Sequence, residues 1–412
     1  MMAACVRHLA QGKPLVGALV IGAAVAGYQL FRPEPVQTRH VPITTKIVFN
    51  REIAQIFQKK CFQCHTDGNV SVPLTTYKEA RPWAVAIKEE ILEKKMPPWG
   101  AASGYGHFAN DMSLTGREIS LILSWADGGA PSGVLLVDED KQPVFIPPIT
   151  GWEQGPPDAT IPVAATLKVA ADSPFKVERF DVSTGLKQAR WLKALQLNPS
   201  DRRAIRFAAI YDAKSGQWLG TWTPSSVVSA MPAGSGIQLP AGAKLTLEIG
   251  YRGGMEEASG AAELGLYFAE KAPAHTPTSI EITPAPATLS PGKIGERFRA
   301  ETAIKTATTI AAMWPKLGPG ARSIEVTAIR PDGGVEPMLW VNSYRPEWPA
   351  PYILKEPIAL PAGTRLVVTA YYDNRTDAAI AAKPSLAITA LPPRLRDATA
   401  RLTSRPSATL EP

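Results

Sequence analysis

The chain has 412 residues, 45% hydrophobic and 20% charged, a folded composition that excludes a disordered or fibrous polymer. At ~100–200 residues per domain this length predicts two to four domains. With 39 prolines and 32 glycines the composition suits turn-rich β-domains, and a formal net charge of +7 without a basic block excludes a nucleic-acid footprint.

Arg7, His8 and Lys13 precede an apolar run from Leu15 to Phe31. At about 17 residues the run is at the short limit for a membrane-spanning helix. Ala24-Val25-Ala26 resembles a small-residue cleavage site, so an uncleaved anchor and a removed signal peptide both stay open over residues 1–32. Tyr28, Leu30 and Phe31 carry the apolar stretch past that site and favour the anchor. Positive residues on its N-terminal side put the rest of the chain outside the cytoplasm. The expected location is therefore the periplasmic side of a bacterial inner membrane, single-pass anchored or released after cleavage. Cys5 follows no apolar run and is not read as a lipidation site. Pro33, Pro35 and Pro42 mark residues 33–45 as a linker.

Residues 46–131 read as a small helical domain. Asn50 can cap a first helix with Ile53, Ile56 and Phe57 on its apolar face. A second is expected from Tyr77 to Lys95, with Ala84, Ile87 and Ile91 on one face, stopped before Pro97-Pro98. A third begins at a Thr115/Glu118 capping box, carries Ile119, Ile122, Leu123 and Ala126, and ends at Gly128-Gly129.

The first helix delivers the chain into Cys61-Phe62-Gln63-Cys64-His65, the C-x-x-C-H attachment signature of a c-type haem. Cys61 and Cys64 would form thioethers to one haem, and His65 would be the proximal iron ligand. The bland readings are a disulfide, a zinc half-site or chance. Zinc needs about four ligands, and no second C-x-x-C or His pair supplies them. The only other cysteine is Cys5, which leaves none for a disulfide framework. Three helices around this motif read as a class I-like cytochrome c. For the distal iron ligand, Met96 in Lys95-Met96-Pro97-Pro98-Trp99 is expected, because a thioether suits electron transfer and the prolines stiffen its loop. His107 and Met112 are the rivals, and an ordinary core methionine is the bland reading of Met96.

Residues 132–165 read as a linker and approach to the β part. Beyond it the helical period gives way to short branched and aromatic runs, such as Arg206–Tyr211 and Lys244–Ile249. Leu239-Pro240-Ala241-Gly242-Ala243-Lys244-Leu245 returns as Leu360-Pro361-Ala362-Gly363-Thr364-Arg365-Leu366 about 120 residues further on, which predicts two sandwiches of one design. They are expected at 166–272 and 292–392, joined by a proline-rich linker at 273–291 and followed by a polar, disordered tail at 393–412. The fold class is thus a small all-α cytochrome c domain followed by two all-β jelly-roll-like sandwiches, with an N-terminal transmembrane or signal segment.

Ile47-Val48-Phe49-Asn50, the haem motif, Lys95–Trp99 and Trp125–Pro131 resemble the cytochrome c domain at the start of bacterial relatives of copper type II, ascorbate-dependent monooxygenases. Gly151-Trp152-Glu153-Gln154-Gly155, Trp348–Tyr352 and Tyr372-Asp373-Asn374 resemble phrases of the two jelly-roll-like domains of that family. The resemblance covers roughly four fifths of the chain. It implies two copper sites, one using a His-His pair and other histidines in the first β-domain, the other a His-x-His pair and a methionine in the second. Here the His-His position falls on Arg206-Phe207, another histidine strand reads Glu248-Ile249-Gly250-Tyr251, and the Pro-His-Met-His motif falls on Pro315-Lys316-Leu317-Gly318. Of five histidines only His275 lies in the β region, within a proline-rich stretch that suits a solvated residue. Met231, Met255, Met313 and Met338 remain, and methionines alone favour Cu(I). Copper is therefore not expected, and fold does not carry function across such a loss.

The expected function is non-catalytic electron transfer by one covalent haem c, with metal-free β-domains that dock redox proteins or subunits of a membrane respiratory complex. One alternative is a copper- and ascorbate-dependent monooxygenase supplied by its own haem. Another is a structural subunit of a membrane redox complex. A di-haem peroxidase would need a second C-x-x-C-H, which the chain lacks.

Overall fold

In the computed structural model, which describes residues 43–133 and 151–393, three aromatic rings build the core of the helical part. Phe49, Phe57 and Trp125 are each at most 1% exposed, and their ring centroids lie 5.9–6.3 Å apart. Trp125 Nε1 donates to the Pro131 carbonyl at 3.1 Å, and Tyr77 Oη donates to that of Ala130 at 3.0 Å, fastening the end of the module to its core. The expected anchor or signal segment, most of the 33–45 linker and the tail beyond 393 lie outside the described residues. Among the described residues no helix is long and apolar enough to cross a membrane.

A π-helical turn, Phe49–Ile53, leads into α1 (Ala54–Lys60). Asn50 does not cap it. Burial of Phe49 starts the helical path one residue earlier, and the Glu52 carboxylate accepts the Val48 N–H at 3.0 Å. The expected helix from Tyr77 to Lys95 is divided into α2 (Tyr77–Ala80), a 3-10 turn at Arg81–Trp83 and α3 (Ala84–Leu92). Pro82 has no N–H for the α-helical ladder and occupies that turn. A capping box of Thr76 with Glu79, an S/T-x-x-E signature, starts α2. The stop comes before Lys95 because Lys94 turns left-handed (φ 55°), which lets Lys95 N and Met96 N both donate to the Glu90 carbonyl. The last helix, α4 (Gly116–Asp127), lies between its Thr115/Glu118 capping box and Gly128, as expected.

The first sandwich comprises β1 (Ala159–Val163), β2 (Lys168–Val169), β3 (Lys176–Ser183), β4 (Arg190–Pro199), β5 (Ile205–Asp212), β6 (Trp218–Trp222), β7 (Val228–Ala230), β8 (Ile237–Leu239), β9 (Lys244–Tyr251), β10 (Ala258–Ser259) and β11 (Ala262–Ala269). The second comprises β12 (Thr278–Ile282), β13 (Ala287–Leu289), β14 (Glu296–Ala303), β15 (Thr308–Lys316), β16 (Ala321–Ile329), β17 (Val335–Val341), β18 (Tyr352–Leu360), β19 (Arg365–Tyr372), β20 (Ile380–Ala382) and β21 (Ser385–Leu391). Strands β1, β12 and β13 fall where linker was expected. In β1, Ile161 and Val163 supply buried side chains on either side of the edge residue Pro162, so the proline does not prevent a strand.

One sheet of the first sandwich runs β1-β11-β4, with β7 and β8 both pairing β4, and the other runs β3-β9-β5-β6. The second sandwich repeats this as β12-β21-β15-β18 and β14-β19-β16-β17. A small pair, β2–β10 or β13–β20, accompanies each. This interleaved order is that of a double-sheet jelly roll. The repeated Pro-Ala-Gly phrase is the same corner twice. Gly242 and Gly363 both adopt positive φ (69° and 86°), and their N–H groups donate to Leu186 and Ile304, the corresponding points of each sandwich.

Tyr372-Asp373-Asn374 and Gly151–Gly155 serve the fold. Asn374 Nδ2 donates to the carbonyls of Leu289 and Ala378, and Gln196 clamps Gly151 O and Glu153 N. The Asp373 carboxylate, 4% exposed, accepts from Gly295 N, Arg375 and Arg322. Burial opposes its charge, but these donors outweigh burial and hold its pKa below the ordinary 3.8. A depressed folded-state pKa stabilises above the unfolded value, and the contribution is lost as pH falls through the folded one. Asp373→Asn is therefore expected to cost about 1.5–3 kcal/mol at pH 7 and progressively less in acid. Urea midpoints at pH 7 and pH 3 check this, and an equal loss at both would refute it.

Candidate functional site

Cys61-Phe62-Gln63-Cys64-His65 is a tight turn at the end of α1. Cys61 N donates to Phe57 O at 2.8 Å, and Cys64 N and His65 N both return to Cys61 O at 3.0 and 2.9 Å. The two thiols are thereby presented by one turn and remain free, half-buried and unlinked. Burial pushes both thiols up to about 12; Cys64 also raises Cys61, while Arg206 and Arg202 act against burial at Cys64.

The next loop folds back over the motif and orients His65. Leu74 N donates to His65 O at 3.0 Å, and Asn69 Nδ2 donates to Gln63 O at 2.8 Å. His65 Nδ1 lies 2.9 Å from the Val72 carbonyl. A carbonyl only accepts, so the proton sits on Nδ1 and the lone pair is left on Nε2. Burial holds His65 below its usual pKa despite this bond, so the imidazole is neutral at pH 7. Two free thiols on one turn beside a neutral imidazole of fixed tautomer fit covalent haem with Nε2 ligation. The Gln63 Oε1 atom is buried and without a partner.

Met96 lies four residues after α3, half-buried and outside the apolar core, at a cis Met96–Pro97 peptide. His107 is exposed, with its carbonyl accepting Lys355 N at 2.8 Å, and Met112 is half-buried. The sequence did not reveal where this loop goes. Residues 99–110 bind β17 and β18, edge strands of the two sheets of the second sandwich. Ala102 N donates to Trp340 O (2.8 Å) and Asn342 N to Gly100 O (2.9 Å). Ala109 N donates to Ile353 O at 2.7 Å. Asn110 donates to Pro351 O and accepts from Ile353 N, at 2.8 and 3.2 Å. Trp99 packs on Tyr352 with centroids 4.9 Å apart, and Tyr105 on Trp340 at the same distance. A Cβ at Gly100 would come within 2.6 Å of Ser343 O, so this approach requires glycine. A cleft of about 530 Å³ lies where Phe62 and Gln63 meet Asn110, Glu153 and Arg202.

Of the positions that the resemblance matches with copper ligands, Phe207, Glu248 and Lys316 lie at a seam between the sandwiches, whereas Tyr251 and Leu317 are buried within the first and second sandwich. Phe207, Ala209 and Trp218 pack against Ala312, Trp314 and Ala387. Trp218 and Trp314 stack at 5.7 Å and 18°. Lys316 pairs with Glu248 and lies 5.8 Å from the Tyr211 ring. Arg206 is buried, donating to Arg203 O at 2.7 Å beneath the Trp348 ring. Met313 and Met338 are core residues, Met255 is exposed, Met231 is half-buried, and His275 is exposed. Among the described residues no group of three or more His, Cys, Asp or Glu is arranged to hold a metal ion.

No family model matches the chain, and no curated protein matches it. Among solved structures it is similar to the major capsid protein P2 of bacteriophage PM2, at 12% identity over 57% of this chain and 98% of that one, with a TM-score of 0.26. The mavirus major capsid protein is similar at 9% identity over 63% and 92% of the chains, with a TM-score of 0.20. Allantoicase of Saccharomyces cerevisiae is similar at 9% identity over 52% and 77%, with a TM-score of 0.18. Scores this low bear on neither function nor ancestry.

Proposed function

We propose that this protein is an electron carrier with one covalent haem c, exported across a bacterial inner membrane and acting on its periplasmic face. The observation that carries the reading is the His65 Nδ1 bond to the Val72 carbonyl, which leaves a neutral Nε2 for iron beside two free thiols. Cys61 and Cys64 would hold the haem, His65 would be its proximal ligand and Met96 its distal one. A haem so held supplies a one-electron ferric/ferrous couple. The loop over the motif fixes the imidazole ring, and burial keeps it unprotonated. The β-domains act as metal-free relatives of copper monooxygenase domains that dock redox partners or complex subunits. The Lys316–Glu248 pair and the aromatic seam at the copper-aligned positions support that part of the reading.

The test of the distal ligand is Met96→Ala in the full-length chain. The near-infrared charge-transfer band of Met–haem ligation is expected in the parent protein and absent from the variant, with a lower midpoint potential. A band that survives in Met96→Ala would transfer the role to Met112. Its absence from the parent, alongside an effect of His107→Ala, would assign His107. A parent protein with two coppers per chain and ascorbate-dependent hydroxylation would replace this reading by the monooxygenase.

A further inference from the structure

We infer that the second sandwich governs the distal side of the haem, with Asn110 and Trp340 as positioning residues that act through the loop after Met96. The inference rests on the reading of Met96 as the distal ligand. Three residues separate Met96 from Gly100, whose carbonyl accepts Asn342 N. From there to Asn110 the loop follows two edges of the sandwich, as Ala101 bridges Val341 and Phe108 bridges Leu354, both antiparallel. Edge strands leave unpaired backbone groups that recruit other segments. Here the edges of both sheets recruit a segment of the helical module.

Trp99, Phe108 and Tyr352 form a three-ring cluster, with centroids 4.9–5.9 Å apart, that fills the space between loop and sandwich. Phe108 is counted among the buried residues of the second sandwich's core. The stretch is therefore built into that sandwich, although its sequence neighbours belong to the helices. An event that loosens β17 or β18 frees the chain from Gly100 to Asn110 and leaves Met96 held by its N–H bond to Glu90 O. The β-domain thereby gains a route to the haem's ligation without touching the haem motif.

The experiment uses full-length protein carrying Asn110→Ala, which removes two bonds to the sandwich, or Trp340→Ala, which lies on the sandwich itself. Both variants are expected to keep one covalent haem per chain, lose intensity in the Met–haem band, show a lowered midpoint potential and bind added cyanide about tenfold faster. An unchanged band, potential and cyanide rate in both variants, with haem still attached, would overturn the inference and leave the electron-carrier reading standing. A parent protein without covalent haem would remove that reading and this inference with it. If neither variant folds, hydrogen exchange on the parent decides. The amides of Ala102, Ala109, Asn342 and Lys355 are expected to open together with β17 and β18. Exchange at the rate of an unprotected loop would overturn the inference.

Discussion

Cys61→Ala with Cys64→Ala is expected to reduce covalent haem from one per chain to none, read by haem staining after denaturing electrophoresis and by pyridine haemochrome absorbance. Each thiol stands on the turn that closes α1, and neither is spent on a disulfide. Both side chains are half-buried and alanine is smaller, so the sandwiches are expected to unfold as in the parent. His65→Ala separates attachment from ligation. It retains the thioether positions but removes the nitrogen oriented by Val72, so haem on the chain with a changed spin state is expected. Covalent haem surviving in the double-cysteine variant would refute the site. A haem-free variant that leaves electron delivery to the membrane chain intact would instead favour the structural-subunit reading.

Trp314→Ala is expected to destabilise the protein by about 3–5 kcal/mol and to uncouple the two sandwiches. The indole is 1% exposed, stacks on Trp218 of the other sandwich and donates Nε1–H to Pro349 O at 3.0 Å. Truncation would leave a cavity at the seam and strand that carbonyl. Calorimetry is expected to show two separated transitions in place of one. A loss under about 1 kcal/mol would mean that the seam is not a structural joint.

Much of this architecture was legible because it rests on local chemistry. The C-x-x-C-H spacing, the Thr115/Glu118 cap and the Pro-Ala-Gly corners each satisfy backbone groups or special φ values within a few residues. The unalternating run Phe207-Ala208-Ala209-Ile210 also has a reason. Ala208 and Ile210 fill the first sandwich while Phe207 and Ala209 face the second, so both sides of β5 are buried. The helix breaks at Pro82 and Asn50 is not a cap because a proline turn and the burial of Phe49 outweigh the helical pattern.

By itself the sequence determined that two thiols and an imidazole share one turn, that two sandwiches of one design follow, and that the β region holds a single histidine, His275. Only the tertiary structure decided which nitrogen of His65 is free, that Phe207, Trp218 and Trp314 close into an aromatic seam between the sandwiches, and that the chain after Met96 completes the edges of a sandwich more than 200 residues away in sequence. Each depends on backbone groups or side-chain faces supplied by distant segments, and such partners leave no periodicity or spacing to read.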